Sequence, residues 1–261
     1  MSLPSELILE LAQALLNAER NGQPIPTPSS RHPELDEADA YRIAAAKFGL
    51  RQRPRTGYKL GYTSEAMRRQ MNISSPNYGI LADDMFAPGN ELAHASLIHP
   101  LVEPEIAIRL NQDLKPADDH DVNSVLAAQP EFMLAIEICD TRYPGYQFKA
   151  VDNISDNSSA ARYALGPAST VGPDTRLETV DAELWLDGEK VDQGVGANAL
   201  GNPLLAVAWL ANRLSREGEA LRAGEVVLTG GLTKGYRVQK GQRVRVISRT
   251  PGVAELALRF A

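Results

Sequence analysis

From Pro4 to Arg20 the apolar residues Leu7, Ile8, Leu11, Leu15 and Ala18 recur at helical spacing, and Gly22 follows as a stop signal. The spacing predicts an amphipathic helix. After the proline-rich connection PIPTPSSRHP, Asp36 can cap a second helix carrying Ala40, Ile43, Ala44 and Phe48, with Gly49 near its end. The pattern then changes from helical to strand-like. GYKLGYT at 57–63, LVEPEIAIRL at 101–110, FMLAIEICD at 132–140 and EVVLTGG at 225–231 read as strands. Asp187-Gly188, between alternating apolar positions, signals a hairpin, and QRVRVIS and AELALRF supply two further strands. One late helix begins at Asn202-Pro203, a cap followed by proline at the first helical position, and runs through LLAVAWLANRL. Strands and helices do not alternate as in a doubly wound sheet, and no internal repeat is visible. The expectation is an α+β unit with a helical segment over residues 1–52 and a β-rich catalytic domain over 53–261.

Composition narrows the function classes. With 261 residues, 43% of them hydrophobic, the chain can bury one large core. Charges of both signs are interspersed, and the net charge of −6 leaves no basic stripe to neutralise a run of phosphates, so nucleic acid is excluded as a partner. A single cysteine, Cys139, excludes a disulfide framework and a multi-cysteine zinc site and fits a reducing compartment. The N-terminus lacks the pattern of a signal peptide, and no apolar run approaches the roughly 18–20 residues of a membrane helix. A cytoplasmic location without membrane association is expected.

The candidate chemistry lies in the apolar strands. Glu103 and Glu105 are two residues apart, so their side chains project from one face and can converge. Side by side in an apolar strand they repel and resist desolvation unless a cation or protons compensate. Glu137 adds a third carboxylate from FMLAIEICD, on the face it shares with Ala135 and Cys139, while Asp140 points away. Three carboxylates without a nearby histidine favour Mg²⁺ or Mn²⁺ over zinc. Spacing alone leaves open that these are solvent-facing glutamates on half-exposed strands. Pro104 lacks a ladder donor, which suggests a sheet edge or bulge. Cys139 without a paired histidine reads as a small buried hydrophobe, His99 as structural, and DDHD at 118–121 as a solvated turn and helix start.

Taken together, GYKLGYTSEAM at 57–67, PNYGILADDM at 76–85, HPLVEPEIAIRL at 99–110, IEICDTRY at 136–143, ISDNSSAARYALG at 154–166, GVGANALGNPLLAVAWLAN at 194–212 and VVLTGGLTKGYRVQKGQ at 226–242 resemble the 2-keto-4-pentenoate hydratase and 4-oxalocrotonate decarboxylase family, a branch of the fumarylacetoacetate hydrolase-like fold. The resemblance implies a β-rich mixed-sheet roll behind a helical N-terminal segment, assembled as a homo-oligomer. It also implies metal ligation by Glu103, Glu105 and Glu137, an active-site lysine at Lys59 and an active-site serine at Ser159. A small 2-oxo acid is the substrate so implied, and a complex with a partner enzyme of aromatic-ring degradation is compatible with it. A 2-oxo acid can chelate Mg²⁺ through its carboxylate and keto oxygens, and the ion then stabilises enolate charge in either hydration or decarboxylation.

Lys59 can bind the substrate carboxylate or transfer a proton. Asn157 and Ser159, in SDNSS, can cap a helix or donate to substrate. The Gly-Gly turn over 229–234 can bring backbone amides and Thr233 to the ligand, with a plain turn as the alternative. Within the family the features divide. Asn77 stands in PNYG where hydratases typically carry an acid thought to help activate water, and an amide cannot act as that base. Arg162, Tyr143 and the TGG look decarboxylase-like. Lys149, Asp152, DDM at 83–85 and the GNPLLAVAWLAN helix look hydratase-like. A dicarboxylate substrate needs a further cation, for which Arg162 or Lys149 could serve. Hydration of 2-hydroxypenta-2,4-dienoate is the first reading, with Asn77 orienting a water. Decarboxylation of 2-oxohex-3-enedioate comes second. Acylpyruvate C–C hydrolysis and a non-catalytic ligand-binding relative are the remaining alternatives.

Overall fold

The structure, a computed structural model, describes residues 2–65, 68, 73–117 and 119–261. The end of the GYKLGYTSEAM segment, at Ala66 and Met67, and Asp118 of DDHD lie outside the described residues. The amphipathic periodicity of the N-terminus produces α1 (Ser5–Asn21), which buries Ile8, Leu15 and Leu16 and ends on Gly22 in the left-handed conformation. The proline-rich connection holds one short turn of helix, α2 (Pro28–Arg31), with Pro28 at its first position. Asp36 caps α3 (Glu37–Arg51) by accepting a hydrogen bond from the Asp39 amide at 2.9 Å. This helix runs past Gly49 and stops at Gln52, itself left-handed.

Two sheets follow. The first contains β1 (Arg55–Gly61), β2 (Asn77–Ala82), β4 (Leu101–Arg109), β5 (Glu131–Cys139), β6 (Ala160–Leu165) and β10 (Val226–Leu228). Their order is β2-β1-β10-β4-β5-β6. The short β7 (Ser169–Thr170) pairs with β5, and β11 (Tyr236–Arg237) pairs with β4. The second sheet runs β3 (Glu91–Leu92), β13 (Leu256–Phe260), β12 (Arg243–Ile247), β8 (Asp181–Leu186) and β9 (Glu189–Val195). Asp187 and Gly188, both at positive φ, turn β8 into β9 as the Asp-Gly pair predicts. Among the described residues three further α-helices follow: α4 (Val122–Ala127), capped by Asp121 as the charge cluster predicts, α5 (Ala150–Ser155), and α6 (Pro203–Ser215), capped by the Asn202 side chain. No helix among the described residues is long and apolar enough to cross a membrane.

The period-two pattern of β4 and β5 decides where the site lies. Val102, Ile106 and Ile108, with Leu134, Ile136 and Ile138, face the main core together with Leu184, Val246 and Phe260 of the second sheet and Leu204, Val207 and Leu210 of α6. Each such side chain, fully buried, contributes on the order of 1.5–3 kcal/mol. The opposite face carries Ala107, Met133 and Ala135 in a smaller apolar cluster, and beyond these the acidic residues.

Pro104 is neither at a sheet edge nor in a bulge of the β4–β5 pair, where it stands in register with Ile136. Its other flank explains why it is tolerated. β10 ends at Leu228 opposite Ala107, and β11 begins opposite Val102, so Pro104 faces the turn between them. The Leu232 amide donates to the Pro104 carbonyl at 2.9 Å, and the missing N–H falls on a flank where neither β10 nor β11 pairs with β4.

Candidate active site

Glu103 stands directly opposite Glu137 across the β4–β5 pair, and Glu105 opposite Ala135. All three carboxylates therefore share one face: the two-residue spacing predicts it for Glu103 and Glu105, and the β4–β5 register adds Glu137. Glu105 and Glu137 are buried, with 0% and 1% of their surface exposed, while Glu103 is half-buried and lines a cavity of about 270 Å³. Ligand atoms of Glu103, Glu137 and Cys139 lie within 4.8 Å of one another. Glu105 commits Oε2 to the Gly230 amide at 2.8 Å, and its Oε1, like both oxygens of Glu137, is buried without a hydrogen-bond donor. Unsatisfied buried carboxylate oxygens are costly. Burial first, then the charge of Glu137, pushes Glu103 up to about 7, and the same two causes raise Glu105 well above the carboxylate range. Such a donor set, short of positive charge, suits a hard divalent ion.

Lys59 reaches this face because Tyr58 and Leu60, its neighbours on β1, turn into the main core. Its Nζ lies 3.1 Å from Glu137 Oε1, close enough for an ion pair but outside hydrogen-bond geometry, and donates to the Ser158 carbonyl at 3.0 Å. Burial works against the ammonium, but the carboxyl groups of Glu137, Glu103 and Glu105 around it outweigh that and raise its pKa. It is held charged, in a place of its own among carboxylates. The Cys139 Sγ is 3.9 Å away, and burial followed by the Glu137 charge keeps its thiol protonated.

The Ser158 carbonyl belongs to a turn in which Asn157, Ser158 and Ser159 are all left-handed, with φ of 56°, 53° and 57°. For residues with a Cβ this costs about 1–2 kcal/mol each, so surrounding contacts must impose it. The Asn157 side chain accepts from the Ile80 amide at 2.7 Å and donates to the Ile80 carbonyl at 2.8 Å, fastening the turn to β2. Gly61 and Gly79 admit it: a Cβ on Gly79 would stand 2.3 Å from the Asn157 carbonyl oxygen, and one on Gly61 2.2 Å from Asn77 Oδ1. Behind the turn, the buried Arg142 pairs with Asp156 and donates to the carbonyls of Asp140, Asp156 and Ala160, while Lys47 reaches Asp156 from α3 at 3.1 Å.

The structure thus brings Lys59, Glu103, Ser159 and Thr233 to one cavity, with Glu105 and Glu137 buried on the sheet face that carries Glu103. Asn77 sits one layer behind, bonded to Asn153 at 2.9 Å and to Ser158 at 3.0 Å. Asn157 fastens the turn rather than lining the cavity, Lys149 is exposed at the start of α5, and the Arg162 guanidinium donates to the Ala161 carbonyl. Arg162 lies toward Glu19 and Arg51 of the helical segment. Asn153, Ser158, Tyr62, Tyr146 and Phe148 line the cavity although their sequence contexts gave no periodic signal, the nearest hint being the polar SDNSS. Tyr146 also packs against His99, with ring centroids 5.1 Å apart.

Comparison with known proteins places this arrangement. The chain is 35% identical to 4-oxalocrotonate decarboxylase of Pseudomonas putida, covering 99% of this chain and 98% of that protein. It is 37% identical to 2-keto-4-pentenoate hydratase of Burkholderia vietnamiensis, covering 86% and 87%. Among solved structures, 4-oxalocrotonate decarboxylase from Pseudomonas putida G7, complexed with magnesium and adipate, superposes with a TM-score of 0.93 at 33% identity over 100% of this chain and 99% of that one. Fumarylpyruvate hydrolase from Pseudomonas aeruginosa, at 17% identity and a TM-score of 0.61 over 80% and 89%, shares the fold. The family model for the fumarylacetoacetate (FAA) hydrolase C-terminal region matches residues 64–259, and the chain belongs to that family as an enzyme.

Proposed function

We propose that this chain is a divalent-metal-dependent lyase acting on a short 2-oxo-enoic or 2-hydroxydienoic acid, in the first place a hydratase of 2-hydroxypenta-2,4-dienoate giving the 4-hydroxy-2-oxo acid. The observation that carries the reading is the placing of Glu103, Glu105 and Glu137 on one sheet face beside Lys59, with Glu103 lining the cavity and three carboxylate oxygens lacking donors. Glu103, Glu105 and Glu137 would hold the ion, Mg²⁺ before Mn²⁺. When bound, the ion supplies a Lewis acid for the keto and carboxylate oxygens of the substrate and stabilises developing enolate charge.

The chain's own residues do the rest. Lys59, held charged, orients the anionic head and can hold or deliver a proton at Nζ. Ser159 offers its hydroxyl to the ligand, and Leu101, Tyr146 and Phe148 form a wall that accepts an uncharged tail and limits water. Among the described residues Lys59 is the one cationic side chain lining the cavity, which favours a monoanionic substrate over a dicarboxylate. One observation favours the decarboxylase as second reading: the Asn77 amide is engaged on both sides and cannot act as a base toward water. A homo-oligomeric, cytoplasmic enzyme, open to association with a partner enzyme of the same pathway, completes the proposal.

The test is an ultraviolet assay with Mg²⁺ on 2-hydroxypenta-2,4-dienoate and on 2-oxohex-3-enedioate, for wild type and Glu105→Gln. Loss of dienol absorbance with formation of the 4-hydroxy-2-oxo acid is expected, and Glu105→Gln should abolish it. CO₂ release from the diacid alone would select the decarboxylase. An unaffected Glu105→Gln would remove Glu105 from the site.

A further inference from the structure

Along the cavity wall, and through Asn77 behind it, runs a chain of hydrogen bonds that has a direction. Ser158 Oγ donates to Asn77 Oδ1 at 3.0 Å, Asn77 Nδ2 donates to Asn153 Oδ1 at 2.9 Å, and Asn153 Nδ2 donates to Ser159 Oγ at 3.0 Å. All four residues are at least nine-tenths buried. Because an amide has one donor end and one acceptor end, the orientation of Asn77 fixes that of Asn153. Asn153 must turn its oxygen toward Asn77 and its NH₂ toward Ser159. Ser159 Oγ then receives a hydrogen bond from the protein and keeps its own hydrogen free, and Ser159 lines the cavity.

We infer that Asn77 is a positioning residue that, through Asn153, sets Ser159 as a hydrogen-bond donor toward an anionic oxygen of the bound ligand. The inference rests on the reading of this cavity as a 2-oxo acid site. A neutral donor–acceptor at 77 does what an acid there cannot. An ionised carboxylate at position 77 would be acceptor-only, so Asn153 would rotate to donate to it and turn its oxygen on Ser159. Ser159 would then donate to Asn153 and present only lone pairs to the cavity, which opposes an anionic ligand. A carboxylate at position 153 would capture the Ser159 hydrogen in the same way.

The experiment is a double-mutant cycle read by calorimetric binding of oxalate to the full-length protein loaded with Mg²⁺, which needs no turnover. Asn77→Asp and Ser159→Ala should each weaken oxalate binding about tenfold, the loss of one hydrogen bond to a charged group. The double variant should bind like Ser159→Ala alone, because the effect of position 77 acts through the serine. Asn153→Asp should reproduce Asn77→Asp, and decides the matter in the same cycle if Asn77→Asp fails to give a native circular dichroism spectrum. With substrate, Asn77→Asp is expected to raise KM more than it lowers kcat. A tenfold penalty that persists in the Ser159→Ala background would reflect the added charge itself and overturn the inference, as would wild-type affinity in both acidic variants. Failure of the wild type to bind oxalate would overturn it together with the proposed function, whereas oxalate binding with the expected coupling but no turnover would sink only the reaction.

Discussion

Glu103 and Glu137 are directly paired across β4 and β5, so that two carboxyl groups stand opposite each other on one face of the sheet. Burial and this pairing hold the Glu103 carboxyl at about 7, above its ordinary 4.5, and raise Glu105 in the same direction. The metal-free folded protein therefore binds protons more tightly than the unfolded chain. Its stability is expected to fall as pH rises from about 4.5 through about 7, a loss on the order of 3 kcal/mol from Glu103, and Glu105, raised well above the carboxylate range, extends the fall beyond it. Urea denaturation of EDTA-treated protein across that range checks this, and Mg²⁺ should restore the loss. Stability that climbs with pH in the metal-free protein would contradict it.

Lys59 is the compensating cation of the cluster, 3.1 Å from Glu137. Lys59→Met should lower kcat by about 10²–10⁴-fold, the range of a lost general acid or base. It should also destabilise the metal-free protein by on the order of 3 kcal/mol, since breaking a buried pair leaves a charge uncompensated. The stability loss should shrink with Mg²⁺ while the activity loss remains. Steady-state kinetics and thermal melts with and without the ion separate the two effects.

Asp156, with no exposed surface, is the common acceptor for Arg142, Lys47, Thr141 and the Arg142 amide. Asp156→Asn should destabilise the protein by about 3–5 kcal/mol, because two buried cations lose their carboxylate. The same change should loosen the left-handed turn that seats Lys59. Hydrogen exchange at the Asn157–Ser159 amides is the measurement, and protection equal to wild type would show that Asp156 does not govern the turn.

Much of this site was legible because strands repeat every two residues. Spacing put Glu103 and Glu105 on one face of β4 and Glu137 on the face of β5 away from Leu134, Ile136 and Ile138, and the register of the two strands joins the three carboxylates while those apolar residues enter the core. The Asp187-Gly188 hairpin and the Asp36 and Asn202 caps were equally local signals. What escaped is non-local. Nothing in Asn-Ser-Ser specifies three left-handed residues; contacts from Ile80, Gly61, Gly79 and Arg142, far away in sequence, impose them. Pro104 misled for a similar reason, since its empty flank arises from the gap between β10 and β11. Lys149 and Arg162 came forward as available cations, but charge says nothing of direction, and one faces solvent while the other lies toward the helical segment.

The Gly-Gly turn offers the sharpest separation between folding and function. A Cβ on Gly230 would stand 2.0 Å from Thr63 Oγ1 at a φ of +108°, so Gly230→Ala strains the backbone and threatens the amide that serves Glu105. Gly231 has no such φ. Its Cβ would meet Glu103 Oε2 at 2.3 Å, the far end of a flexible side chain that can move away, and the Thr233 carbonyl oxygen at 3.0 Å, which has to give only slightly. Moving it displaces one of the three carboxylates. Gly231→Ala should therefore lower the melting temperature in the presence of EDTA much less than Gly230→Ala does, while weakening Mg²⁺ binding about tenfold or more. Calorimetric titration with Mg²⁺ beside a thermal melt measures both, and an unchanged Mg²⁺ affinity would exclude Glu103 from the ligand set.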